Sequence, residues 1–299
     1  MNNNIMMYKS RLTYKEIEPV LQDLSAIKYS IIKGEALSVA AYNATGMRTS
    51  SDVDILVSRK NLRIIEKKLS DIGFEKQYSD DIVTQRTNRA FMLSHSHQTT
   101  PFYIQKSIFK LSVDLNFDIF WGEYTGKRVD VDDFLSDTTE IEIYGYKVKV
   151  LPPLKAMVQL ILHHYKDMNS IFLLATRNSI KFDMFKDIYY LLKNNINCIS
   201  LDDLYDIGLE YDIMPYIYYV LYYTGLLFKD KLLDEYISAF KTSDGESLIN
   251  CYGLNKFERH EWKYDLKTRL ETKNIYELIK NDLTDNDKKK IQINKEVFG

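Results

Sequence analysis

Cysteine is scarce. The 299-residue chain carries only Cys198 and Cys251, which have no metal-binding spacing and make no disulfide framework. Reduced thiols in a cytoplasmic protein are the expectation. Long apolar runs are missing as well. None approaches the roughly eighteen residues of a membrane-spanning helix, and Met1 to Ser10 is mostly polar, so neither a bilayer span nor a signal peptide is expected. No sign of charge dominates. Forty basic against 42 acidic residues leave −2, which excludes a global field that would draw nucleic acid or a membrane, though not a local basic surface. Internal repeats and low-complexity stretches are absent too. What remains, at 45% hydrophobic and 27% charged, is the composition of a globular protein of one large or two modest domains.

The most informative stretch runs from Ile31 to Val57. In Asp52-Val53-Asp54-Ile55-Leu56-Val57, residues two apart share one face of a strand, so Asp52 and Asp54 project together while Val53, Ile55 and Val57 enter a core. Paired carboxylates repel unless a cation or shared proton intervenes, and hard dications such as Mg²⁺ take oxygen ligands of this kind. Upstream, Gly34 follows an apolar strand at 29–33 and precedes a helix at 35–44. A glycine at such a turn lets backbone approach a phosphate, and the helix start offers free N–H groups. Downstream, Leu111 to Ile119 alternates strictly, with Asp114, Asn116 and Asp118 on one face and Val113, Leu115, Phe117 and Ile119 on the other. A third carboxylate from a neighbouring strand would complete a two-metal cage for in-line phosphoryl or nucleotidyl transfer.

Lys33-Gly34-x-Ala36-Leu37, then Arg48-x-x-x-Asp52-x-Asp54-Ile55-Leu56-Val57, then Val113-Asp114-Leu115, resembles the DNA-polymerase-β-like nucleotidyltransferase superfamily. The pattern is most similar to its uncharacterised bacterial nucleotidyltransferase family with a helical C-terminal half. The resemblance implies that Asp52 and Asp54 hold the metals, Mg²⁺ or Mn²⁺, and that Asp114 is the third ligand and activates the acceptor hydroxyl. The turn at Gly34 would contact the triphosphate of an NTP donor. One position departs from the pattern: the superfamily usually has Gly-Ser or Gly-Gly where this chain has Gly34-Glu35. A Glu there adds negative charge where a phosphate should lie, unless the side chain points away or helps bind metal.

Elsewhere the periodicity predicts helices over residues 11–27 and 61–71 and a short one around 131–135. Strands are expected from Ile82 to Ile119, including Arg89 to His97 and Phe102 to Gln105. His95 and His97 then share a strand face, without the third ligand a zinc site needs. A hairpin over 141–150 turns near Gly145, and Pro152-Pro153 marks the end of the sheet region. From Leu154 on, helices are expected, among them 201–211, 214–227, 231–240 and 257–279, with many of the 23 tyrosines as packing residues. His164 and Asp187 sit on two of these helices, and the resemblance would put one of them near the base or acceptor.

The fold expectation is therefore α+β: a mixed sheet flanked by helices over 1–150, forming a catalytic domain, then an all-helical domain over 151–299, with substrate in a cleft between them. The functional expectation is metal-dependent transfer of an NMP from an NTP to a hydroxyl acceptor, with Lys33, Gly34 and Arg48 orienting phosphate. A small-molecule acceptor fits the near-neutral charge. A tRNA acceptor, as in toxin-type nucleotidyltransferases, would need a basic path, for which Arg86, Arg89, Lys106, Lys110, Lys127 and Arg128 are the candidates. The competing class is a non-catalytic nucleotide-binding module, suggested by Glu35.

Overall fold

The structure, a computed structural model, describes residues 3–24, 27–48, 50–76, 89–90, 92–94, 96–120, 129–177 and 179–298. They fall into two units, Met1–Ala156 and Met157–Gly299.

Alternating sequence builds the strands of the first unit: Tyr29–Ile32 (β1), Val53–Val57 (β2), Glu75–Lys76 (β3), Phe102–Lys106 (β4), Phe109–Asn116 (β5), Thr139–Ile143 (β6) and Tyr146–Val150 (β7). They form one mixed sheet in the order β3-β4-β5-β2-β1-β7-β6. The central strand β2 is antiparallel to β1 and parallel to β5, pairing Val53 with Val113, Asp54 with Asp114 and Leu56 with Asn116. Val53, Ile55, Val57, Val113, Leu115 and Phe117 join one buried cluster with Tyr14, Ile17, Val20 and Leu21 of helix Asn3–Asp23 (α1) and Leu62, Ile65 and Leu69 of helix Leu62–Asp71 (α3). Each such side chain contributes about 1.5–3 kcal/mol on burial. A one-residue slip would turn the whole apolar set to the other face, so the register is firmly specified. The same constraint sends Asp54, Asp114 and Asn116 to the opposite face together.

Helix Gly34–Tyr42 (α2) links β1 to the loop before β2. The β6–β7 hairpin closes with Ile143 opposite Tyr146, leaving a two-residue turn of Tyr144 (φ 56) and Gly145 (φ 88). Positive φ at both positions matches the twist of the flanking strands.

Two expectations fail here. Arg89 to His97 is not a strand: residues 89–90 and 92–94 are helical, and Gln98 forms only an isolated bridge to Asn116. Its apolar run, Ala90 to Leu93, is too short for periodicity to separate strand from helix. His95 lies outside the described residues, as do Arg86, Lys127 and Arg128 of the candidate basic path. The second failure is the single helix over 257–279. That stretch holds His260–Glu261, paired antiparallel with Cys251–Tyr252, and then short helices Leu266–Glu271 and Tyr276–Ile279. Asp265 caps the first of these by accepting from Thr268 N–H at 2.8 Å, an Asp-x-x-Thr start signal that the sequence does carry.

The second unit is otherwise helical, with Phe182–Asn194, Leu201–Glu210, Met214–Leu227 and Lys231–Ala239 among its elements. Its tyrosines pack as expected, Tyr165, Tyr219, Tyr223 and Tyr236 all lying in its interior. His164 and Asp187 are buried here too. No helix among the described residues is long and apolar enough to cross a membrane.

Glu66 on α3 ties two parts of the first unit together, accepting from Lys76 Nζ at 2.5 Å and Arg89 Nη1 at 2.7 Å. Burial opposes its charge, but bonds and charges from Arg89 and Lys76 outweigh this and lower its pKa below the ordinary value. A depressed carboxylate stabilises above its unfolded pKa, near 4.3, and loses that contribution as pH falls through the folded value. Glu66→Gln should therefore unfold at lower urea than the parent at pH 7, by about 1–3 kcal/mol. The gap should close in strongly acidic buffer; a gap independent of pH would refute the assignment.

Candidate active site

The site begins where β1 runs into α2. Lys33 has φ 56 and ψ −153, a backbone geometry that glycine favours and that costs a side-chain-bearing residue about 1–3 kcal/mol. Gly34 follows at φ 42, and a Cβ on it would meet Ser50 Cβ at 3.3 Å. The turn therefore packs directly against the segment that enters β2. Ser50 in turn donates from Oγ to Asp52 Oδ1 at 2.6 Å.

Asp54 lies in the middle of this arrangement. Its Oδ1 accepts from Lys33 Nζ at 2.7 Å and from Asn116 Nδ2 at 3.0 Å. The Lys33 and Asp54 side chains are only 10% and 7% exposed, so water screens the pair weakly. Burial opposes charge on Lys33, yet Asp54, and with it Asp52 and Asp114, outweigh burial and raise its pKa above the ordinary lysine value. One ammonium thus answers to three carboxylates. The Asp52 pKa is raised as well, by burial and then by the Asp54 charge, partly offset by Ser50 and Lys33. Asp114, buried, is the register partner of Asp54 on β5. Asp54, Asp114 and Lys33 are therefore brought together, and Asp52, just before β2, is near enough for the Asp54 charge to act on it.

Gly34 stands at the first position of α2, where backbone N–H groups point out of the helix. Arg48 lies in the loop between α2 and β2, half-buried. Ser38 shapes this loop by accepting from the N–H groups of Met47 (3.0 Å) and Arg48 (3.1 Å) and donating to Ala44 O (2.7 Å). Glu35 turns away from the turn and is 1% exposed. Its Oε2 accepts from Gly46 N–H at 2.7 Å and its Oε1 from Tyr144 OH at 2.6 Å. The acid that departs from the family pattern is thus a brace between α2, its following loop and the β6–β7 turn.

Sequence reasoning missed Asn116, Ser50 and Tyr144 as supports of the site. For Asn116 the signal was present, since the alternation puts it on the face of Asp114. For Tyr144 there was none.

A profile of the family described as uncharacterised nucleotidyltransferase matches residues 4–229. The chain belongs to that family. This nucleotidyltransferase is also similar to two solved structures. One is an antigenic nucleotidyltransferase-like protein from Paracoccidioides brasiliensis, 16% identical over 61% of this chain and 76% of that one, with a TM-score of 0.36. The other is the lincosamide antibiotic adenylyltransferase LnuA, lincomycin-bound, 14% identical over 62% of this chain and 97% of that one, with a TM-score of 0.33. No curated protein matches the sequence.

Whether the site suits a divalent cation is a question about its donors. Asp52, Asp54 and Asp114 supply only carboxylate oxygens, the ligand type that Mg²⁺ and Mn²⁺ prefer. A cation, the Lys33 ammonium, is already drawn among them. Among the described residues, however, no three acids, histidines or thiols are gathered closely enough to enclose a metal as the chain stands. The chemistry of the donors fits; their spacing would have to tighten.

Proposed function

We propose that this nucleotidyltransferase moves a nucleoside monophosphate from a Mg²⁺- or Mn²⁺-bound NTP to a hydroxyl group of a small acceptor molecule. The observation that carries this reading is the pairing of Asp54 with Asp114 on adjacent parallel strands, with Asp52 two residues before Asp54 and Lys33 among them. In this reading the catalytic domain is 1–150 and the helical domain is 151–299. The cell compartment is the cytoplasm, in keeping with the unpaired thiols of Cys198 and Cys251.

Asp52, Asp54 and Asp114 would hold the divalent cations, which when bound supply charge neutralisation at the triphosphate. Asp114 takes the proton of the acceptor hydroxyl as its oxygen attacks the α-phosphorus in line, and the bond to pyrophosphate breaks. Lys33, Arg48 and the backbone at Gly34 bind phosphate oxygens, the last with the free N–H groups that open α2. Asn116 keeps Asp54 oriented through its 3.0 Å bond. Such a site works by positioning and by fixed charge rather than by covalent chemistry.

Two observations favour this over the alternatives. Glu35 is engaged by Gly46 and Tyr144, so it does not occupy the phosphate position that would argue for a non-catalytic module. Of the basic residues that might guide a tRNA, Arg89 is paired with Glu66 and Lys106 with Glu16, and Lys110 lies 3.8 Å over the Tyr103 ring. The test is a thermal-shift series with ATP, GTP, CTP and UTP, each with and without Mg²⁺. A ligand at about a hundredfold its Kd stabilises by roughly 2.7 kcal/mol. Mg²⁺-dependent stabilisation by one NTP, lost on replacing Asp52 and Asp54 together, is the expected result. Indifference to all four would count against it.

A further inference from the structure

The Lys33 side chain is committed to a carboxylate rather than free for a phosphate: its Nζ sits 2.7 Å from Oδ1 of Asp54, one of the acids that would hold a cation in this site. Asn116 uses the same oxygen. Asp52 and Asp114 lie close enough to act on the ammonium as well. Lys33 is held in this pose by a backbone at φ 56, which a side-chain-bearing residue rarely adopts. Carboxylates within reach of one another repel, and the largely buried Lys33 ammonium relieves that repulsion without a metal.

We propose that Lys33 is a built-in counter-cation, occupying the place of a divalent cation in the free protein and expelled from Asp54 when that cation binds. This rests on the metal-dependent reading given above. Two like charges crowded onto one carboxylate in a weakly screened site repel, so metal entry and the Lys33–Asp54 bond oppose each other. The uncollected state of the three acids follows: Asp54 is engaged by Lys33 and Asn116 and is not free to close a cage. Once expelled, the ammonium lies at the start of α2, where the donor's phosphates would bind. One side chain then serves two states, and metal entry and nucleotide binding become coupled through it. Lys33 is a positioning residue in the first state and a phosphate ligand in the second.

The test is Mn²⁺ binding, followed by the electron paramagnetic resonance signal of free Mn²⁺, in the wild type, Lys33→Met and Asp54→Asn, with no nucleotide present. Lys33→Met should bind Mn²⁺ about tenfold or more tighter than the wild type, because no charged hydrogen bond has to break. Without metal it should melt at a lower temperature, since its acids have lost their counter-cation. With Mn²⁺ bound, it should bind the donor NTP more weakly. A lysine with a purely structural role would not give tighter metal binding when removed. Lys33→Gly, which accepts φ 56 without strain, is the second variant and is held to the same comparison. If Asp54→Asn abolishes Mn²⁺ binding while both Lys33 variants bind no tighter than the wild type, the counter-cation is refuted and the metal site stands. If Mn²⁺ binding does not depend on Asp54, the metal-dependent reading falls and takes this inference with it.

Discussion

Asp54→Asn is expected to keep the fold and lose nucleotidyl transfer, turnover falling by about a thousandfold or more. Asparagine has nearly the same shape, so the side-chain oxygen can still accept from Lys33 and Asn116, which now bond to Asp54 Oδ1 at 2.7 and 3.0 Å. What disappears is the negative charge at the centre of the carboxylate group. A thousandfold loss corresponds to about 4 kcal/mol of transition-state stabilisation. Asp54→Ala should behave differently. It leaves a largely buried ammonium without its carboxylate, and breaking a buried pair from one side costs about 3–5 kcal/mol of stability. Pyrophosphate release measured beside a urea melt separates the two effects. An Asp54→Asn protein that releases pyrophosphate at the parent rate would remove Asp54 from the mechanism.

The second large effect falls on stability and involves Glu35. Removing its carboxylate in Glu35→Ala strands two donors, the Gly46 N–H and the Tyr144 hydroxyl, in a part of the chain where Glu35 itself is only 1% exposed. A buried donor left without an acceptor costs about 1–3 kcal/mol; Gly46 and Tyr144 are both half-buried, so a loss of about 1–3 kcal/mol is expected for the two together. In a protein of this size that lowers Tm by about 2–5 °C. Glu35→Gln should fall between, because one of its two terminal atoms accepts while the other only donates. Unchanged thermal stability in Glu35→Ala would mean the brace is absent in solution. Replacing Glu35 by serine or glycine is likewise expected to destabilise this chain, since neither side chain can bridge Gly46 and Tyr144 as Glu35 does.

These two residues show where sequence reasoning reached and where it stopped. The alternation in β2 and β5 was enough to place Asp54 and Asp114 on the face away from Val53, Ile55, Val113 and Leu115, which do enter the core. Short apolar runs were not enough: Arg89 to His97 reads as strand, yet residues 89–90 and 92–94 are helical, and 257–279 reads as one helix but holds a strand and two short helices. In the first case the four apolar residues from Ala90 to Leu93 cannot establish a period. In the second, the Asp265 cap starts a new helix inside a stretch whose apolar spacing alone suggests a single one.

The sequence by itself determined the strands that bear Asp54 and Asp114, the face on which these two lie and the glycine turn at Gly34. All of these follow from a period of two or from the conformation of one residue, which are local properties. Tertiary structure alone decided that Asp54 meets Asp114 across a parallel pair, that Lys33 reaches Asp54 from another strand end, and that Glu35 turns to Tyr144, 109 residues away. Partners across a sheet depend on strand order and register, and those are set by how the whole apolar face of the unit packs against α1 and α3 rather than by any short stretch of chain.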